Sequence, residues 1–244
     1  NIEKEGIKNM GNQRDRQFTL PKNIRQMGQF GDTYKIYVED FVYTYVHRTL
    51  HMEKQVCILM GSPRKQGNTN ALLGPFRQEL EGLGAETETV WLHALEIRPC
   101  TACRACQRDW TAFGCAQRDD VPTIFDKVLA CDLIVLATPI YSWYCTAPMK
   151  ALLDRCVYGF NKYYGDEVGP ALWAGKKVAV FTTCGYKPEH GADLFAEGVR
   201  RYCKHSRLRY AGLFAERHLG YKTVFMDEGK AERARAFARQ LLQG

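Results

Sequence analysis

The sequence predicts an α/β protein: a doubly wound, five-stranded parallel sheet in the order 2-1-3-4-5, preceded by an N-terminal extension. Three observations carry that expectation. From residue 55 onward, apolar runs of strand length alternate five times with stretches whose apolar residues recur at helical spacing. Such a strand-then-helix alternation implies parallel strands with helices on both faces. Right-handed crossovers then leave 2-1-3-4-5 as the natural order.

The elements follow in turn. An apolar strand at 55–61 leads into a helix at Asn68–Gly82, with Leu72, Leu73, Phe76 and Leu80 on one face. A second strand at 86–92 precedes a cysteine-rich loop at 98–116. A helix at 121–131, with Pro122 in its first turn, leads to a third strand at 132–138, which holds the pure apolar run Leu133 to Ala137. A helix at 148–157, a strand at 177–183, a helix at 189–205, a strand at 209–215 and a closing helix at 228–242 complete the pattern. Ahead of them, residues 1–33 are polar and aperiodic and read as an arm. Residues 34–38 alternate like a short strand, and 39–50 place Phe41, Val42, Tyr45, Val46 and Leu50 at helical spacing. Met52 stands directly before the first strong strand. Residues 1–51 are therefore expected to be an extension and 52–244 a self-contained domain.

Two loops carry candidate chemistry. The first strand ends in Gly61-Ser62-Pro63-Arg64-Lys65-Gln66-Gly67-Asn68-Thr69-Asn70. A loop between a strand's carboxyl end and a helix N-terminus favours an anion, through unpaired N–H groups and the helix dipole. Ser62, Asn68 and Thr69 add donors, and Asn68 or Thr69 can cap the helix. It is not a nucleotide P-loop, because five residues separate the glycines and Asn-Thr follows; no G-x-G-x-x-G is present either. The third strand runs out at Thr138-Pro139-Ile140-Tyr141-Ser142-Trp143-Tyr144. It neighbours strand one at the switch point, so its loop faces the first. Its aromatics suit a flat heterocycle, although one of Tyr141, Trp143 and Tyr144 is expected to cover the core instead.

Ten cysteines are many for an intracellular chain. Cys57 and Cys131 lie in or beside apolar patterns, as small hydrophobes do. Cys100, Cys103 and Cys106 form C-x2-C-x2-C, and eight residues intervene before Cys115. Clustered thiols point to metal or redox chemistry rather than to a disulfide framework. The spacing lets a tight loop direct three thiolates at one iron-sulfur cluster, with a fourth from farther off. On a helix the same spacing would merely pack the thiols on one side. Free or redox-active thiols, an iron-sulfur cluster and zinc all stay open. His93, His190, His205 and His218 have no metal-like spacing and read as surface or core residues.

Ser62-Pro63-Arg64 with Gly67-Asn68-Thr69, then Pro139-Ile140-Tyr141-Ser142, Ala147-Pro148-Met149-Lys150 and Leu153-Asp154-Arg155, resemble the NADPH-dependent FMN reductase family. The branch they most resemble is the iron-sulfur flavoproteins and their flavodoxin-like relatives. The likeness covers about residues 54–243 in outline and is specific at the two loops. It implies non-covalent FMN, with its phosphate on Ser62, Arg64, Asn68 and Thr69 and its ring along Pro139, Ile140, Tyr141 and Ser142. A third contact is implied after strand four, at Cys184 and Gly185. The resemblance also implies that Cys100, Cys103, Cys106 and Cys115 hold a [4Fe–4S] cluster passing electrons to FMN. The chain departs from that branch in the long last gap and in having no proline after Cys115. The implied reaction is hydride transfer from NAD(P)H to the flavin, then electron release to a small-molecule acceptor such as a flavin, quinone, nitroaromatic or iron centre.

The alternative is a non-enzymatic flavodoxin-like electron carrier. A net charge of +7, with Arg64 and Lys65 in the phosphate loop, argues against the acidic docking face of such carriers. A flavin-free module that keeps the fold is a further rival. The charge is spread out: residues 1–51 hold eight Lys/Arg against six Asp/Glu, and no long basic run follows. No nucleic-acid partner is therefore expected. No stretch approaches the ~18 apolar residues of a membrane helix, and the first thirty residues lack the apolar segment of a secretory signal. The expected address is the cytoplasm, with no membrane partner. A homodimer or higher oligomer is expected, with loop 141–146 and residues 158–173 near the contact. The second stretch, with Tyr158, Phe160, Tyr163, Tyr164 and Trp173, would otherwise form a lid on the flavin. The four cysteines are expected to converge near the flavin, because strand two ends on the same sheet edge.

Overall fold

In the computed structural model, residues 54–220 and 222–243 are described, and the strand and helix expected at 34–50 lie outside them. Strands β1 (Gln55–Met60), β3 (Leu133–Pro139) and β4 (Lys177–Cys184) are buried along almost their whole length. Burial on both faces is why they read as continuous apolar runs. The more polar β2 (Glu86–Trp91) and β5 (Arg209–Arg217) form the edges. All five strands are parallel, in the expected order β2-β1-β3-β4-β5. Met60 pairs with Ala137, and Ala137 with Phe181, so the loops after the three central strands leave the sheet within a few residues of one level.

Successive side chains of a strand point to opposite faces. Val56, Ile58, Met60, Val135 and Phe181 pack beneath α1 (Asn68–Gly82) and the closing helix at Glu228–Gln243. Cys57, Leu59, Ile134, Leu136 and Val180 face α2 (Val121–Ala130), α3 (Ala147–Phe160) and the helix at Asp193–His205. The helix expected at 189–205 is in fact two: one turn, α4 (Pro188–Gly191), then α5 (Asp193–His205). The break falls where the chain presses on the exit of β4; a Cβ on Gly191 would lie 3.2 Å from Cys184 and from Tyr186. The closing helix is therefore α6. Gly212 takes φ +126 at a β-bulge between β4 and β5, a conformation reserved for glycine.

Within the aromatic stretch at 158–173, Phe160 and Trp173 complete the core, whereas Tyr158, Tyr163 and Tyr164 are half-buried. Phe160 and Trp173 are buried, with ring centroids 4.6 Å apart. Trp173 Nε1 donates to the buried Asn161 Oδ1 at 2.9 Å. Asn161 Nδ2 in turn donates to Ser206 Oγ at 2.9 Å. Among the described residues no helix is long and apolar enough to cross a membrane.

Candidate functional site

The loops after β1, β3, β4 and β5 enclose a cavity of about 770 Å3 at the carboxyl ends of the central strands. Its volume suits a cofactor, and it lies where the strand order reverses. All ten residues that the sequence singled out for FMN line it: Ser62, Arg64, Asn68, Thr69, Pro139, Ile140, Tyr141, Ser142, Cys184 and Gly185.

One end is built for an anion. Gly67, not Asn68 or Thr69, is the N-cap of α1; no side chain caps the helix and no acidic residue sits in its first turn. The first-turn amides are thus left for a ligand. Thr69 Oγ1 shares a 2.7 Å hydrogen bond with Thr183 Oγ1 instead, tying α1 to β4. The loop curls tightly: Gly67 N–H donates to the Arg64 carbonyl at 3.1 Å, and a Cβ on Gly67 would lie 3.1 Å from that oxygen. Thr146 Oγ1 donates to the Gly61 carbonyl at 2.7 Å, so the loops after β1 and β3 are locked together.

The other end is built for something flat. Tyr141 and Tyr144 exchange backbone hydrogen bonds of 2.8 and 3.0 Å around Ser142 and Trp143, whose φ values are 50° and 63°. Turns of this kind usually employ Asn-Gly. Two ordinary residues there cost about 1–2 kcal/mol each, and both line the cavity. The Trp143 ring stacks on Tyr186, centroids 5.6 Å apart at 13°, and Trp143 Nε1 donates to the His190 carbonyl at 3.1 Å. Tyr141, Trp143 and Tyr186 remain 47%, 47% and 59% exposed, an aromatic wall at the mouth. Tyr144 is the aromatic that covers the core, edge-on to Phe195 at 5.2 Å. Burial pushes the Cys184 thiol up to about 11, so it is a neutral wall. His218, Gly220 and Thr223, after β5, also line the cavity. His218 is thus a site residue rather than an ordinary surface or core histidine. The available signal was that β5 ends on the same sheet edge.

The four cysteines line a second cavity of about 20 Å3, with Phe113, Arg155 and Tyr158 among its other walls. All are free thiols. The loop is not a packed helix: Ala102 (φ 53°) and Arg104 (φ 58°) are left-handed, the first between Cys100 and Cys103 and the second between Cys103 and Cys106. Ala102 N–H donates to Cys100 Sγ at 3.4 Å. A backbone bond from Ala105 holds the Cys103 thiol below its usual range, whereas burial pushes Cys106 up. The buried Arg155 donates to Asp119 (2.5 and 3.1 Å), to the Arg98 carbonyl (3.1 Å) and to Cys115 Sγ (3.3 Å). Burial opposes ionisation of Asp119, but the bonds from Arg155 and the Arg98 amide hold its carboxyl below the usual range. The buried Lys162 donates to the carbonyls of Cys106, Ala112 and Phe113. Among the described residues no group of three or more His, Cys, Asp or Glu is spaced to hold a single metal ion. Four thiols around one cavity, with N–H donors turned to sulfur, are nevertheless the donor chemistry of an iron-sulfur cluster.

The two cavities share no lining residue. Gln107 Nε2 donates to the carbonyls of Tyr158 (2.6 Å) and Asn161 (3.1 Å), which draws the cysteine loop to the last turns of α3. The loop after β3 enters that helix at its other end, and from Ala147 to Tyr158 an α-helix rises about 16 Å. The cysteines converge on one cavity, whose lining residues are distinct from those of the switch-point cavity.

A doubly wound sheet with an anion-ready loop and a flat-ligand loop meeting at its switch point defines the flavodoxin-like class. The sequence profile of the NADPH-dependent FMN reductase family matches residues 55–195, and the chain belongs to that family. It is 37% identical over 120 residues to an iron-sulfur flavoprotein of Methanosarcina thermophila, covering 48% of this chain and 61% of that protein. It is 38% identical over 116 residues to an iron-sulfur flavoprotein of Archaeoglobus fulgidus, covering 47% and 51%. The chain thus spans about half to three-fifths of the length of these relatives. Among solved structures, an NAD(P)H:quinone oxidoreductase from Methanothermobacter marburgensis shares the fold, with a TM-score of 0.56 and 22% identity over 78% of this chain and 96% of that one.

Proposed function

We propose that this chain is an FMN-dependent NAD(P)H oxidoreductase that passes electrons from a nicotinamide to a flavin, quinone or similar small acceptor. The observation that carries the reading is the single switch-point cavity, with an uncapped helix end at one side and a strained aromatic turn at the other. Ser62, Arg64, Asn68 and Thr69 would hold the FMN phosphate. Pro139, Ile140, Tyr141 and Ser142 would hold the ring, with Cys184 and Gly185 on its third side. Bound there, FMN supplies the electron chemistry. The chain's own part is to neutralise the phosphate with Arg64 and the α1 amides, fix the ring through the locked β1 and β3 loops, and limit water at the mouth with Trp143 and Tyr186.

Cys100, Cys103, Cys106 and Cys115 would hold a [4Fe–4S] cluster; the relatives' names and the N–H donors on sulfur support this. Residues 1–51 are the extension, 52–244 the flavodoxin-like domain, and the protein is a cytoplasmic homodimer or higher oligomer. The exposed Tyr141 and Trp143, with the exposed Val168 of the stretch at 158–173, are the apolar surface that supports association. Anaerobically purified protein tests the reading by its visible spectrum, iron content and NAD(P)H oxidation with a quinone and no partner reductase. Flavin bands with steady turnover are expected. A colourless chain that ignores added FMN would sink the proposal, and flavin without turnover would leave an electron carrier. Iron near zero after reconstitution would reject the cluster alone, and a monomer by light scattering the oligomer alone.

A further inference from the structure

We infer that Lys162 is the positioning residue of the four-cysteine loop: it fixes the loop's shape and gives it a surplus positive charge that eases reduction of whatever the cysteines hold. The inference rests on the reading of that loop as an iron-sulfur site.

Lys162 is 0% exposed. Its Nζ donates to the carbonyls of Cys106 (2.7 Å), Ala112 (2.6 Å) and Phe113 (3.3 Å). Three acceptors occupy three N–H donors, which the ammonium has and the neutral amine lacks. The acceptors sit at both ends of the segment between the third and fourth cysteines. One cation therefore closes the long gap that the spacing alone leaves loose. The lysine is itself held from behind: its amide donates to the Pro170 carbonyl at 2.9 Å, and its carbonyl accepts from Gly169 at 2.6 Å. A Cβ on Gly169 would lie 2.8 Å from Lys162 Cβ, so the two segments are pressed together.

A buried ammonium is costly without an opposite charge nearby. Arg155, the other buried cation of the loop, has one in Asp119. Among the described residues Lys162 has only carbonyls for hydrogen-bond partners. The adjacent acid, Asp109, is exposed and accepts instead from the Thr111 amide (2.8 Å) and hydroxyl (2.7 Å). What the loop offers in place of a carboxylate is sulfur, first of all Cys106, whose carbonyl Lys162 already holds. A cluster on four thiolates is anionic and gains one more negative charge on reduction. A fixed cation beside it favours the reduced form, because net charge and hydrogen bonding set such potentials.

The test compares Lys162→Met, which removes the charge and the three bonds, with Lys162→Arg, which keeps the charge, both in the full chain. In iron-loaded protein of equal iron content, the Met variant is expected to show a more negative midpoint potential, and the Arg variant to recover most of the shift. In iron-free protein, amide hydrogen exchange across residues 100–115 is expected to be at least about tenfold faster in the Met variant, from loss of a buried clamp. FMN affinity, read at the other cavity, reports that each variant is folded. An unchanged potential in the Met variant overturns the electrostatic role, as does an Arg variant that behaves like Met. Unchanged exchange overturns the shaping role. Failure of wild-type chain to take up iron fells the cluster reading and the electrostatic role with it, and the exchange comparison then decides the shaping role alone. Should the Met variant lose FMN as well, Lys162→Gln, which keeps a donor without the charge, is measured in its place against the same outcomes.

Discussion

The two cavities are built by different means. The larger is made by backbone at the ends of four parallel strands: an uncapped helix start, two left-handed residues and a hydroxyl pair between Thr69 and Thr183. The smaller is made by side-chain charge, with Arg155 and Lys162 buried beneath a loop that has little regular structure of its own. The first is placed by topology. The second depends on buried charged side chains, Arg155 reaching Asp119 and Lys162 reaching the Cys106 carbonyl.

The comparison breaks most readily at the Arg155–Asp119 pair. Asp119→Asn leaves a buried guanidinium without its counter-charge and is expected to cost about 3–5 kcal/mol, measured by denaturant unfolding. The pH dependence follows. The folded pKa of Asp119 lies below its unfolded value near about 3.9, so its contribution is complete above that value and lost as pH falls through the folded pKa. The Asn variant should therefore show a shallower loss of stability below about pH 4 than wild type. Equal acid limbs would mean that the pair does not hold the fold.

Next in size is Thr69→Glu, which sets a carboxylate at the anion end. FMN affinity should fall at least about 100-fold, or about 2.7 kcal/mol, while iron content is unchanged. Retained affinity would displace the phosphate from α1. Gly159→Ala comes third. Its Cβ would lie 1.9 Å from the Phe113 ring, which stacks on Phe125 beneath the cysteine cavity. Overpacking should cost about 2 kcal/mol and lower iron uptake without touching flavin affinity. If both ligands weaken together, the cavities are less independent than their separate walls imply. The smallest effect is expected of Ser142→Gly. Relief of the left-handed strain, largely offset by glycine's extra freedom when unfolded, should raise stability by about 0.5 kcal/mol, read as a small rise in the thermal midpoint. A loss would show that the Ser142 side chain contributes more than its backbone strain costs.

The same contrast explains what the sequence could reveal. β1, β3 and β4 are apolar on both faces, so their strands, their order and the loops at their carboxyl ends were all legible, as was α1 to the residue. His218 and Thr223 were within reach of the same edge rule but have no local pattern. Ser142 and Trp143 gave no sign of left-handed backbone, since neither is a residue that favours it. Lys162 follows a helix in an aromatic stretch and looks like any surface lysine. Its burial becomes visible only when a loop some fifty residues earlier folds over it. The aromatics around it misled for that reason: with the cysteine loop laid across the end of α3, Phe160 and Trp173 are interior.

The edge strand β2 bears on how copies of this protein meet. Its outer half carries Glu86 and Glu88, the first bonded to Gln55 and the second paired with Lys127 of α2. Another β-strand docking alongside would have to bring its own backbone past these carboxylates, the kind of edge that resists strand addition. Copies crowded together are thereby hindered from growing into a continuous ribbon along that side, which leaves the β5 edge, the helical faces and the loop end of the sheet.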